Sequence, residues 1–125
     1  MGLESSKVAF ERARRSVGGG VGSGLRAAML PHPLFVREAH GAHLWDLDGD
    51  KYVDYVMAWG PLVLGHGDPR VLSAVTSVAE TMQVVGTGHA LEYLAAEAVL
   101  EAVPHGERLL WSNTGTEAVQ VALRS

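Results

Sequence analysis

The sequence predicts an α/β fold built as an N-terminal helix, a small antiparallel sheet, further helices, and then a strand, a turn and the start of a helix. Three observations point there. Apolar residues recur at helical spacing on either side of the middle of the chain, and strand-like runs rich in Val, Phe, Trp and Tyr are confined to 34–57. Near the end, a short continuous apolar run at 108–112 passes through a glycine turn into a helical pattern.

Composition bounds what such a fold can do. With 125 residues, 47% of them hydrophobic, the chain is one ordinary domain at most and carries enough apolar material for a core. Ten Lys and Arg against fourteen Asp and Glu leave a formal charge of -4, which argues against nucleic acid or an anionic membrane as a partner. Without cysteine there is no disulfide framework, no thiol nucleophile and no Cys-type metal site. The start, MGLESSKV, has no apolar run suited to a signal, and nowhere are there the ~18 apolar residues of a membrane span. A soluble, cytoplasmic protein is expected.

The elements follow in order. Val8, Ala9, Phe10, Ala13 and Val17 give helical spacing over 6–17, with a serine pair in front as the expected cap. The helix runs into Gly18-Gly19-Gly20-Val21-Gly22-Ser23-Gly24, whose glycines disfavour a helix. Two readings stay open for it, a loop that approaches something closely and a plain flexible linker. Strands are expected in LFVREA, HLWDL and KYVDYVM, with Asp48-Gly49 as the hairpin signal between the last two. Asp46, Asp48 and Asp50 fail the calcium-loop pattern, because Lys51 and Met57 stand where Gly and Glu are needed. His40 and His43 have no third ligand nearby, so no metal site is expected.

After Pro69, the residues Val71, Leu72, Val75, Val78, Ala79 and Met82 share one helical face. A second helix follows His89, with Leu91, Leu94, Ala95, Ala98, Val99 and Ala102 expected inward. The run Arg108-Leu109-Leu110-Trp111-Ser112 then reads as a strand, Asn113-Thr114-Gly115 as a turn, and TEAVQVALRS as a helix. That junction gathers backbone N–H groups, and the hydroxyls of Thr114 and Thr116 add donors, so a phosphate fits there. A threonine that merely caps the helix explains the same residues. Neither a P-loop nor a dinucleotide fingerprint is present.

Taken together, GGVGSGLRA (19–27), PLFVREAHGAHLWDLDGDKYVDYVMAWGPLVLGHGDPRV (33–71) and SNTGTEAVQVALR (112–124) resemble the amino-terminal part of class III (fold type I) PLP-dependent aminotransferases. The resemblance covers nearly the whole chain. It implies pyridoxal 5'-phosphate as cofactor, with Thr114, Gly115 and Thr116 on its phosphate. Glu117 is expected to point aside, since a carboxylate facing the phosphate would repel it. The resemblance also places Ser23 and Arg26 near a substrate carboxylate and Trp59 on the substrate pocket. A guanidinium suits a carboxylate through its planar fork, although a solvated loop charge and a core tryptophan remain the alternatives. Residues 1–60 would hold the N-terminal helix, glycine-rich loop and small sheet, and 61–125 would begin the large PLP-binding domain.

The chain departs from the family pattern in Gly22 and Gly24, where Asn and Pro are frequent, and in His89 and Ala90, where one branch of the family commonly carries Thr-Glu. His89 is then either a substrate-side residue or a solvated or packed loop histidine. No residue here is expected to be catalytic. The only lysines, Lys7 and Lys51, fall on the first helix and beside the hairpin turn, poor places for a Schiff-base lysine. The expectation is therefore a truncated portion of a larger enzyme, or a remnant, inactive alone. The parent would act on a small amino acid or amino-aldehyde and assemble as a homodimer. Other readings are a β- or ω-amino acid transaminase, or a non-catalytic piece that binds a phosphate-bearing ligand or a partner.

Overall fold

The computed structural model describes residues 3–125, in two units, 3–80 and 81–125. In the first, helix α1 (Glu4–Ala13) begins earlier and stops sooner than the sequence suggests. The serine pair does not cap it, because both serines lie inside its first turn. The Ser5 N–H donates to Asp48 Oδ2 at 3.2 Å, and the fully buried Ser6 accepts from the Phe35 N–H at 3.0 Å through its Oγ. These bonds fasten α1 beside the sheet.

The glycine run turns at Gly18–Gly20 and meets α1 closely, since a side chain on Gly20 would run into Phe10 and Arg14. Of the two readings of this segment, close approach is the observed one, and what it approaches is α1. A short helix α2 (Gly24–Ala27) follows.

Strands β1 (Val36–His40), β2 (His43–Asp46) and β3 (Lys51–Val53) form an antiparallel sheet in that order. His40 faces His43 across the first turn, and Trp45 faces Lys51 across the second, where the ammonium lies 5.4 Å from the indole centroid. Gly49 takes φ +89° in the expected Asp-Gly turn. The three aspartates serve that turn. Asp46 is fully buried and accepts from the Asp48 N–H at 3.0 Å, the Asp50 N–H at 2.8 Å and the Tyr52 hydroxyl at 2.8 Å.

Burial acts to raise the Asp46 pKa, but the Tyr52 hydroxyl and the amides of Asp50, Asp48 and Gly49 together hold it below the ordinary value. Tyr52 is pushed up to about 12 by its bond to Asp46, by burial and by the charges of Asp46, Asp50 and Asp48. Asp46 therefore adds stability above the ordinary carboxylate value of about 3.9, and that stability is lost as pH falls below it. The Tyr52 contribution is complete below about pH 10 and fades as pH rises further. Thermal melts across pH should show Asp46→Asn with a shallower decline at both extremes. An unchanged acid limb would remove Asp46 as the clamp of this hairpin.

Helix α3 (Pro69–Ala79) starts cleanly, with Pro69 in its first turn and Asp68 as cap, accepting from the Arg70 N–H at 2.9 Å. In the second unit, α4 (Ala90–Ala102) and α5 (Gly115–Ala122) are joined by irregular chain. The expected strand at 108–111 is absent. A strand exists only when paired, and the unit offers it no partner among the described residues.

The apolar faces of these helices also differ from expectation. Leu72 and Val75 of α3 are 56% and 62% exposed, and Leu91 and Leu94 of α4 are 46% and 49% exposed, so they do not point into a core. Among the described residues Pro33 is the only apolar side chain that is fully buried, although the composition predicts a core. Composition counts apolar residues but not the second layer needed to cover them.

Candidate functional site

Two places gather chemistry, one in each unit. In the first, a concavity of about 690 Å³ is lined by Ser23, Arg26, Asp54, Trp59 and His66 among apolar neighbours such as Met29 and Phe35. Ser23 is the cap of α2, its Oγ accepting from the Arg26 N–H at 3.5 Å, so the short helix carries Arg26 as an exposed cation on the rim. Ser23, Arg26 and Trp59, the three residues expected near the substrate, all line one hollow.

Asp54 and His66 line the same hollow and are not among the residues the sequence points to. Asp54 directly follows β3 and accepts from the N–H groups of Val56 and Met57, both at 2.9 Å, through Oδ1. Its Oδ2 receives the His66 Nε2–H at 2.7 Å. The Asp54 side chain is 9% exposed, and the His66 bond first, then the Met57 amide, hold its pKa below the ordinary range against the effect of burial. His66 in turn is pinned by its backbone, which exchanges two 2.9 Å bonds with Gly41. Gly65 makes that approach possible, because a Cβ there would stand 3.0 Å from the Gly41 carbonyl oxygen.

After Asp54 the chain leaves the strand that KYVDYVM suggests and makes a left-handed turn, with φ of 46°, 55° and 69° at Met57, Ala58 and Trp59. None of these is Gly or Asn, and each such residue costs roughly 1–2 kcal/mol. Bonds from Trp59 N–H to Val56 O at 2.9 Å and from Gly60 N–H to Met57 O at 3.1 Å join the Asp54 bonds in holding it. Trp59, 70% exposed, is presented at its end. The only available signal was an Asp closing a strand ahead of an Ala-Trp-Gly turn.

The second place is the start of α5. Thr114 is its cap, with Oγ1 accepting from the Glu117 N–H at 3.1 Å, while Glu117 Oε2 accepts from the Asn113 N–H at 2.7 Å. This reciprocal arrangement is a variant of the capping box, reaching back one residue further than usual. It turns the Glu117 carboxylate toward the backbone. Among the described residues the N–H groups of Gly115 and Thr116 and the Thr116 hydroxyl receive no partner, and the segment is exposed. Three donors at the positive end of a helix with the nearest carboxylate withdrawn is chemistry that suits a phosphate dianion.

The remaining candidates have local roles. His89 caps α4, its Nδ1 accepting from the Leu91 N–H at 3.1 Å. Lys7 pairs with Glu4 at 3.7 Å on the surface, and Lys51 lies over Trp45. Thr81–Ser125 contains no lysine. Among the described residues no helix is long and apolar enough to cross a membrane.

A family model described as Aminotransferase class-III matches residues 26–125. The glutamate-1-semialdehyde 2,1-aminomutase of Acetivibrio thermocellus is 44% identical over 99% of this chain and 30% of its own length. Among solved structures, a β-phenylalanine aminotransferase from Variovorax paradoxus superposes with a TM-score of 0.91 at 31% identity, over 96% of this chain and 28% of that one. An ω-transaminase from Sphaerobacter thermophilus gives 0.90 at 31% identity, over 96% and 27%. The fold is thus α/β, as in the N-terminal portion of a fold type I PLP-dependent transferase. The chain spans about 30% of the length of the curated relatives it matches.

Proposed function

Since the chain belongs to the class-III aminotransferases, we propose that it supplies the phosphate-holding and substrate-carboxylate-holding parts of an enzyme that moves an amino group on a small amino acid or amino-aldehyde. The cofactor of the family is pyridoxal 5'-phosphate. When bound, it supplies a carbonyl that takes up the amino group and a ring that withdraws electrons from the neighbouring carbon. The Gly115 and Thr116 N–H groups and the Thr116 hydroxyl would hold its phosphate, and Thr114 would keep the helix start in shape. Arg26 would bind the substrate carboxylate, with Ser23 holding the turn that carries it and Trp59 bounding the substrate side. The amine that anchors the cofactor would come from polypeptide outside these residues, because Lys7 and Lys51 are engaged at the surface. A cytoplasmic homodimer completes this reading.

The observation that carries it is the free donor set at Gly115 and Thr116, with Glu117 held on Asn113. Titration of the protein with PLP, followed by absorbance, tests it. Thr116→Ala should weaken binding roughly tenfold, the worth of one hydrogen bond to a charged group, with little change in melting temperature. Thr114→Ala should instead lower helix stability by about 1 kcal/mol. An unaltered PLP affinity in Thr116→Ala would remove the phosphate assignment.

The 44% identity to a glutamate-1-semialdehyde 2,1-aminomutase favours that substrate. The close superposition on a β-phenylalanine aminotransferase and an ω-transaminase supports a second reading, transfer from a β- or ω-amino group to an external acceptor. Turnover of glutamate-1-semialdehyde with no added acceptor, by an enzyme that carries this segment together with the anchoring lysine, separates the two.

A further inference from the structure

Trp59 sits at the end of a turn that its own residues do not favour, and the groups that hold this turn form a continuous line back to the sheet. His66 is fixed through its backbone to Gly41 by two 2.9 Å bonds. Its ring holds Asp54 Oδ2 at 2.7 Å, and Asp54 Oδ1 holds the amides of Val56 and Met57 at 2.9 Å each. Left-handed Met57, Ala58 and Trp59 follow directly. Both carboxylate oxygens are committed, so Asp54 serves as a peg and not as a base. Both residues of the pair also line the hollow that Ser23, Arg26 and Trp59 share.

We propose that the Asp54–His66 pair is a positioning device that fixes Trp59 in the wall of this hollow and thereby sets which amino substrates fit beside Arg26. The specificity role rests on the substrate reading of the hollow given above, whereas the anchoring of Trp59 does not. The substrate class favoured is a carboxylate-bearing amine whose remaining part is short or apolar enough to lie along the indole and its apolar neighbours.

The test uses two readouts in the protein. In a Trp45→Phe, Trp111→Phe background, time-resolved fluorescence anisotropy reports Trp59 alone. Asp54→Ala and His66→Ala should each enlarge its fast local motion, and His66→Gln, which can still donate to Asp54, should restore most of the restraint. In an enzyme that carries this segment together with the anchoring lysine, and with PLP bound, Asp54→Ala should lower kcat/KM roughly tenfold, and the same change made on top of Trp59→Ala should cost less than about twofold.

Unchanged anisotropy in both alanine variants overturns the anchoring. A full tenfold loss that persists without Trp59 overturns action through the indole. Trp59→Ala with unaltered kinetics for every amino substrate, while anisotropy still responds, overturns the substrate reading and the specificity role with it. Circular dichroism checks that each variant folds, and His66→Gln keeps the test decisive if an alanine variant does not.

Discussion

In an enzyme that carries this segment together with the anchoring lysine, Arg26→Ala is expected to lower kcat/KM for a carboxylate-bearing amino substrate about 100-fold, mostly through KM. The side chain stands on the rim of the hollow, on a four-residue helix whose start is tied by Ser23. A guanidinium there can offer two parallel N–H groups to a carboxylate, and losing a charge-assisted pair of this kind costs about 2–3 kcal/mol. Arg26→Lys keeps the charge without the fork and should recover only part of the loss. Steady-state kinetics with a matched substrate lacking the carboxylate isolates the effect, because that analogue should be indifferent to both substitutions. Equal losses for both substrates would show that Arg26 supports the fold of the loop and not the ligand.

Gly20→Val should be the most damaging change to stability, by about 2–4 kcal/mol. Its φ is +77°, which a β-branched residue tolerates poorly, and a Cβ would strike the Phe10 ring and come within 2.7 Å of Arg14 Cγ. Phe10 and Arg14 stack with the guanidinium carbon 5.8 Å from the ring centroid, so neither moves without disturbing the other. Gly18→Ala, two residues earlier, meets nothing within 4 Å and should change stability by less than about 0.5 kcal/mol. Chemical denaturation of the two variants side by side reads the contrast. A mild Gly20→Val would mean that the loop leaves α1 readily.

What the sequence disclosed follows the range of the forces involved. The hairpin around Asp48-Gly49 and the starts of α3 and α5 depend on neighbours within a few residues, and they are legible. Ser5 and Ser6 look like caps because they precede an apolar pattern, yet their partners, Asp48 and Phe35, lie 43 and 29 residues away. The run at 108–111 has strand composition without a partner to pair with. At the candidate site, Ser23, Arg26 and Trp59 come to light through motif resemblance. The Asp54–His66 pair spans twelve residues, and the left-handed stretch it holds, Met57–Trp59, has no Gly or Asn to betray it.

The two ties of Glu117, through its N–H to Thr114 and through its carboxylate to Asn113, have a thermodynamic consequence. Because the helix start is already shaped and its carboxylate already stowed, an incoming anion has no local disorder to remove. Its association at this turn should show a heat-capacity change close to zero and an on-rate limited by encounter, with no conformational lag.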